Sequence, residues 1–167
     1  EWAAFPKTRL GGGISPTLEF CDAGHALGSA GIMVRAQHET LFYSGDVSFQ
    51  GQSLLKGACF EDIQSDALIL ETTRGNRAVP TYVTRASETD RLAETLQGVL
   101  QAKGSVLLPT FALGRTQEVL ALLALLMQSG KLRPQPVYIG GLGRVFTEIY
   151  DLQAHRTHRH HSNLQLH

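Results

Sequence analysis

At 167 residues the chain has room for one ordinary domain or parts of two small ones, and 43% hydrophobic residues let it pack a core instead of staying disordered or fibrous. Lysine plus arginine and aspartate plus glutamate balance at 15 each. No bulk field therefore draws a polyanion, and any phosphate recognition has to be local.

The chain opens on Glu1 instead of Met, which suggests a portion of a longer polypeptide, and no charged-then-apolar leader is expected in it. The first half is strand-like. "TLEFCD" (17–22), "GIMVRA" (31–36), "TLFYSGD" (40–46) and "ALILE" (67–71) are short β-branched or aromatic runs between Gly, Asp and polar turns. Cys21 and Cys59 follow no C-x-x-C spacing and read as small buried hydrophobes, which suits a reducing, cytoplasmic setting better than a disulfide scaffold. A polar stretch bearing Gly and Pro, "TTRGNRAVP" (72–80), marks a subdomain boundary.

Beyond it, helix and strand alternate. Ser87 and Asp90 form a start signal resembling a capping box, and Leu92, Leu96, Val99 and Leu100 then share a helical face until Gly104. "SVLLP" (105–109) reads as a buried strand, 115–129 as a helix stopped by Gly130, "PVYIG" (136–140) as a strand and "VFTEIYDL" (145–152) as a third helix. That order implies parallel strands with right-handed crossovers. The longest apolar run, "VLALLALLM", is far too short to span a bilayer, so no membrane partner is expected.

Three polar residues end the strands of the first half. His25 follows 17–22, Asp46 ends the run inside "YSGD" and Glu71 ends "LILE". Each alone is an ordinary turn residue, but together at strand ends they form the kind of cluster on which α/β architectures build sites. Glycines at 24, 28 and 45 permit close backbone approach there.

"DAGHALGSA", "LFYSGD", "LILETTRG" and "LLPTFALGRTQEVL", in this order and at these separations, resemble the metallo-β-lactamase superfamily, and specifically its β-CASP branch of nucleases. The resemblance runs from about Thr17 to Leu152. It implies an α/β fold of α+β sandwich type: part of a metallo-β-lactamase αββα fold over residues 1–74, then the start of a parallel α/β β-CASP domain over 75–167. It makes His25 a ligand of one zinc, Asp46 the carboxylate bridging two zincs, and Glu71 an acidic residue that orients a histidine. Imidazole and carboxylate are ordinary zinc donors, and a bridging carboxylate suits a two-metal phosphodiesterase. The family's H-x-H-x-D-H signature has no match here, and its two later histidine motifs normally lie past the "FALGR" segment. The chain is thus expected to be a middle piece with an incomplete metal site, inactive alone.

Arg115 opens the "FALGRTQE" helix, where it can meet a phosphate or pair with a nearby carboxylate. Arg74, Arg77 and Arg85 surround the boundary and are candidates to line a nucleic-acid cleft. "GGLGR" (140–144) reads as a close strand-to-helix turn, with an anion-binding turn as the weaker alternative. His155, His158, His160, His161 and His167 match no zinc template and are read as an exposed helix end or loop. The resulting expectation is a zinc-dependent nuclease acting on RNA or single-stranded nucleic acid. The alternative is a non-catalytic binding or assembly subunit of the same family, while a lactam or thioester hydrolase is disfavoured by "FALGRTQE". Exposed apolar edges are expected to promote self-association.

Overall fold

The computed structural model describes Thr8–Arg9, 16–157, 159–161 and 163–166. The chain divides into two compact units, Glu1–Thr73 with Leu152–Asn163, and Arg74–Asp151 with Leu164–His167.

The first unit is built on a five-stranded mixed sheet in sequence order: β1 (Thr8–Arg9), β2 (Thr17–Asp22), β3 (Ala30–Ala36), β4 (Glu39–Tyr43) and β5 (Ala67–Ile69). The first three pairings are antiparallel and the last, β4 with β5, is parallel. The β2–β3–β4 meander follows from the short connections 23–29 and 37–38, which return the chain antiparallel, whereas the longer 44–66 excursion allows a parallel return. Met33 and Phe42 sit opposite each other in the β3–β4 register and are both buried. Phe42 meets Phe60 edge-on, with ring centroids 4.8 Å apart, and Phe60 meets Phe49 likewise at 5.9 Å. Gly31 is what admits these rings, because a Cβ there would lie 2.6 Å from Phe42 Cζ and 2.9 Å from Phe60 Cζ. The 44–60 excursion is thereby pinned to one face of the sheet.

The second unit contains α1 (Arg85–Gln101), α2 (Arg115–Gln128) and α3 (Gly141–Leu152). The cap of α1 lies three residues before the expected Ser87: the Thr84 hydroxyl accepts the Ser87 N–H at 3.1 Å and the Ser87 hydroxyl accepts the Thr84 N–H at 3.0 Å. Ser87 thus completes the reciprocal pair from the third helical position. At the other end, Lys103 and not Gly104 takes the positive φ of +59°, and the Gly104 and Lys103 N–H groups bond back to the Val99 and Leu100 carbonyls. Leu92, Leu96 and Leu100 of α1 pack with Val119, Leu123 and Leu126 of α2 around a small core that includes Leu132.

The parallel strands expected at 105–109 and 136–140 are not formed among the described residues. Both segments line a cavity of about 510 Å³ beside α1 and α2, with Leu107 87% and Tyr138 90% exposed. An apolar β-branched run reports a preference for burial, but a strand needs a hydrogen-bonded neighbour, and none of the described residues provides a ladder for these two. The "GGLGR" stretch is likewise neither of the turns expected: from Gly141 it is the first turn of α3, which starts four residues before the expected 145. Among the described residues the chain is an α/β protein with a mixed sheet and three α-helices. No helix among the described residues is long and apolar enough to cross a membrane.

Candidate metal centre

β2 ends at Asp22, whose carboxylate Oδ1 accepts the Gly24 N–H at 2.9 Å and turns the chain into the His25 loop. Ser29 closes that loop from the other side. Its hydroxyl accepts the N–H groups of His25 at 3.0 Å and Ala26 at 3.1 Å, while its carbonyl accepts the Ala23 N–H. The loop is seated on the 44–60 excursion by the Ser48 N–H to the Ala23 carbonyl at 2.9 Å and the Cys59 N–H to the Asp22 carbonyl at 3.2 Å. Gly24 has φ +65°, and a Cβ on it would stand 2.5 Å from Ala58 N. The tightness of the glycine-rich loop is therefore an approach of backbone to backbone.

Asp46 lies in the turn after β4, exposed and next to Val47. Glu71 lies just past β5 and ties the two strand ends together: its Oε1 accepts the Val47 N–H at 3.3 Å and its Oε2 the Thr73 N–H at 3.0 Å. Buried Ser44 completes the link, because its hydroxyl accepts the Glu71 N–H at 3.0 Å and donates to the Gly45 carbonyl at 2.8 Å. These bonds hold the Glu71 carboxyl below the ordinary glutamate range, those to Thr73 foremost, then that from Val47, with a smaller contribution from nearby His25. Glu71 is thus an ionised anchor for the Asp46 turn, with lone pairs to spare, in the field of the His25 imidazole.

The donor chemistry suits zinc, which takes imidazole and carboxylate readily. The fit is partial. Among the described residues no three His, Cys, Asp or Glu side chains come together to hold a metal ion. His155, His160 and His161 are exposed, and His158 and His167 lie outside the described residues.

The basic candidates belong to the second unit. Arg74, Arg77 and Arg115 are exposed, and among the described residues none of the three forms an ion pair. The carboxylate nearest in sequence to Arg115, Glu118, is mostly buried and pairs with Arg85. Arg85 is therefore an ion-pair partner linking α1 to α2. The turn preceding Arg115 is fixed by Gln117, which is 0% exposed. Its Oε1 accepts the Gly114 N–H at 2.8 Å, and the two hydrogens of its Nε2 are shared among the carbonyls of Ala112 and Gly143 at 3.1 and 3.2 Å and the Thr147 hydroxyl at 3.1 Å.

Ser29, Ser44 and Gln117 were not singled out by sequence reasoning. Ser29 had a local signal, as a small hydroxyl four residues after His25, and Gln117 had one as the third residue of α2 capping Gly114, whereas the bonds of Ser44 to Glu71 and of Gln117 to Gly143 and Thr147 reach segments distant in sequence. The cysteines also differ from expectation. Cys21 is half-buried and Cys59 exposed, because Cys59 sits in an irregular stretch outside the sheet. Partial burial, then Glu19 and Cys59, push the Cys21 thiol up, which disfavours a reactive thiolate.

No family model matches the chain. It is 34% identical over 135 residues to the "RNase J-like protein" of Methanocaldococcus jannaschii, covering 80% of this chain and 31% of that protein. To "RNase aCSPSF2" of Saccharolobus solfataricus it is 33% identical over 129 residues, covering 77% and 25%. To "Cleavage and polyadenylation specificity factor subunit 3" of Dictyostelium discoideum it is 36% identical over 102 residues, covering 61% and 13%. The chain spans at most 31% of the length of these curated relatives. With these likenesses over most of its length, the chain belongs to the β-CASP branch of the metallo-β-lactamase superfamily.

Proposed function

We propose that this chain is a portion of a zinc-dependent β-CASP nuclease that hydrolyses phosphodiester bonds of RNA with two metal ions. In that reading residues 1–74 belong to the lactamase domain and residues 75–167 to the β-CASP domain. The observation that carries it is the clustering of strand ends in the first unit, where Glu71 fixes the turn holding Asp46 and lies in the field of His25. His25 and Asp46 are then two of the zinc ligands, and Glu71 keeps the Asp46 turn in place. The remaining ligands belong to the rest of the polypeptide. The names of the relatives, which include an RNase and a polyadenylation factor subunit, support RNA as the substrate. Arg115, Arg74 and Arg77 are the proposed phosphate contacts, and Arg115 has the strongest case, since its intrahelical carboxylate is taken by Arg85. A cytoplasmic setting accords with Cys21 and Cys59, which form no disulfide. Self-association is proposed through β5, where Leu68 and Ile69 are exposed.

Asp46→Ala in the complete polypeptide is the decisive variant. Cleavage should vanish while RNA affinity is largely kept, because ground-state binding rests on phosphate contacts elsewhere. Full cleavage by this variant overturns the metal assignment. Arg115→Ala should weaken binding to all sequences alike and make its salt dependence shallower; an unchanged salt slope with lowered stability makes Arg115 structural.

A further inference from the structure

The loop that carries His25 is held from outside its own sequence. Gln52 lies in the 44–60 excursion, and its Nε2 donates to the carbonyls of both Gly24 at 2.8 Å and His25 at 3.1 Å. A side-chain amide has two hydrogens, so these two bonds use its whole donor capacity. With the Ser29 hydroxyl accepting the His25 N–H, both peptide groups of His25 are tied, leaving the imidazole as the part free to turn.

Gln52 is itself fixed. Its N–H donates to the Leu55 carbonyl at 2.8 Å, buried Leu54 accepts the His160 N–H at 3.0 Å, and Leu55 forms an isolated antiparallel bridge with Arg159. The 159–160 stretch, far along the chain, thus braces the excursion from which Gln52 reaches the His25 loop.

The geometry points to Gln52 as a positioning residue for His25, supported in turn by the 159–160 stretch. It sets where the imidazole starts and so how well His25 meets a metal. This rests on the proposal that His25 is a zinc ligand. Groups that orient a ligand typically change metal affinity or activity about 10–100-fold when removed.

The test uses the complete polypeptide with Gln52→Met, which keeps length and loses the donors, His160→Pro, which removes the N–H to Leu54, and His25→Ala as reference. Zinc retained against a competing chelator, the thermal midpoint, and kcat and KM on an RNA substrate are measured. Gln52→Met should lose zinc affinity about 10-fold or more and lower kcat with KM and thermal midpoint little changed. Unchanged zinc retention in Gln52→Met, while His25→Ala loses zinc, overturns the inference and leaves the proposed function standing. Unchanged zinc retention in His25→Ala overturns the reading beneath it. Should Gln52→Met melt early, His160→Pro decides: reduced zinc retention measured well below its own thermal midpoint, where the chain is folded, supports the brace, and full retention there refutes it.

Discussion

Gly24 and Gly28 flank the His25 loop with similar backbones, φ +65° and +83°, but in different surroundings. A Cβ on Gly28 would meet nothing within 4 Å, whereas one on Gly24 would stand 2.5 Å from Ala58 N, 2.7 Å from Ser48 O and 2.8 Å from Gly57 C, all backbone atoms. Alanine at either site incurs the left-handed penalty, about 1–2 kcal/mol, and gains the same small benefit from a stiffer unfolded chain. Only Gly24→Ala also has to push two backbone segments apart, which adds about 1–3 kcal/mol, as overpacking does in tight interiors. Gly24→Ala should therefore be the more destabilising of the pair by that increment, since the shared terms cancel in the difference. Urea unfolding followed by amide exchange in β2 and β3 reads the stability of the first unit directly. Equal losses in the two variants would falsify the claim that loop and excursion meet backbone to backbone at Gly24.

Other expected outcomes follow from the same bonds. Gln117→Met should lower the stability of the second unit by about 2–4 kcal/mol, because it orphans the buried Gly114 N–H and removes the tie to α3; a denaturant midpoint shifted by under about 0.5 kcal/mol equivalent would mean the amide network contributes little. Asp66 accepts the Thr40 N–H at 2.7 Å and the Thr40 hydroxyl at 2.8 Å, which holds its carboxyl below the usual aspartate range, the hydroxyl bond foremost. Its folded value lies below its unfolded one, so its stabilisation is present above about pH 4 and fades as pH falls through the folded value. Carboxyl NMR titration should show Asp66 moving upward in Thr40→Val, and an unmoved titration would refute the cause. Calorimetry on this chain should show no tight binding of two zinc ions, because a catalytic zinc commonly takes three protein ligands; tight stoichiometric binding would bring His155, His160 and His161 back as ligands.

The strands of the first unit were legible because each couples a short apolar or aromatic run to a polar turn, and the polar residues His25, Asp46 and Glu71 stood out at their ends. What fixes those residues was not legible. Gln52 reaches back across the fold to the His25 carbonyl, and Ser44 serves Glu71 from just past the end of β4, so no local spacing could announce either. Helices were read well where capping and stops are local, as at Gly130, whose φ is +75° after α2. The two parallel strands were over-read from "SVLLP" and "PVYIG", because composition conveys how much a segment gains from burial and is silent on which strand lies beside it. The Arg85–Glu118 pair could not be foreseen either, since Arg115 is as good a partner for Glu118 by spacing alone.

The bridge between Leu55 and Arg159 has a consequence for how the chain comes into being. During synthesis the sheet residues and the His25 loop leave the ribosome first, but the stretch that braces the excursion follows roughly a hundred residues later, about 5–20 s at ordinary translation speeds. Through that interval the nascent first unit lacks its last ladder bonds while the helices of the second form beside the exit tunnel. Closing so long a loop adds only logarithmically to the entropy cost but delays the contact. The last brace on the excursion that carries Gln52 is thus made late, and ribosome-stalled chains ending before Arg159 should present that excursion to a protease more readily than chains that include it.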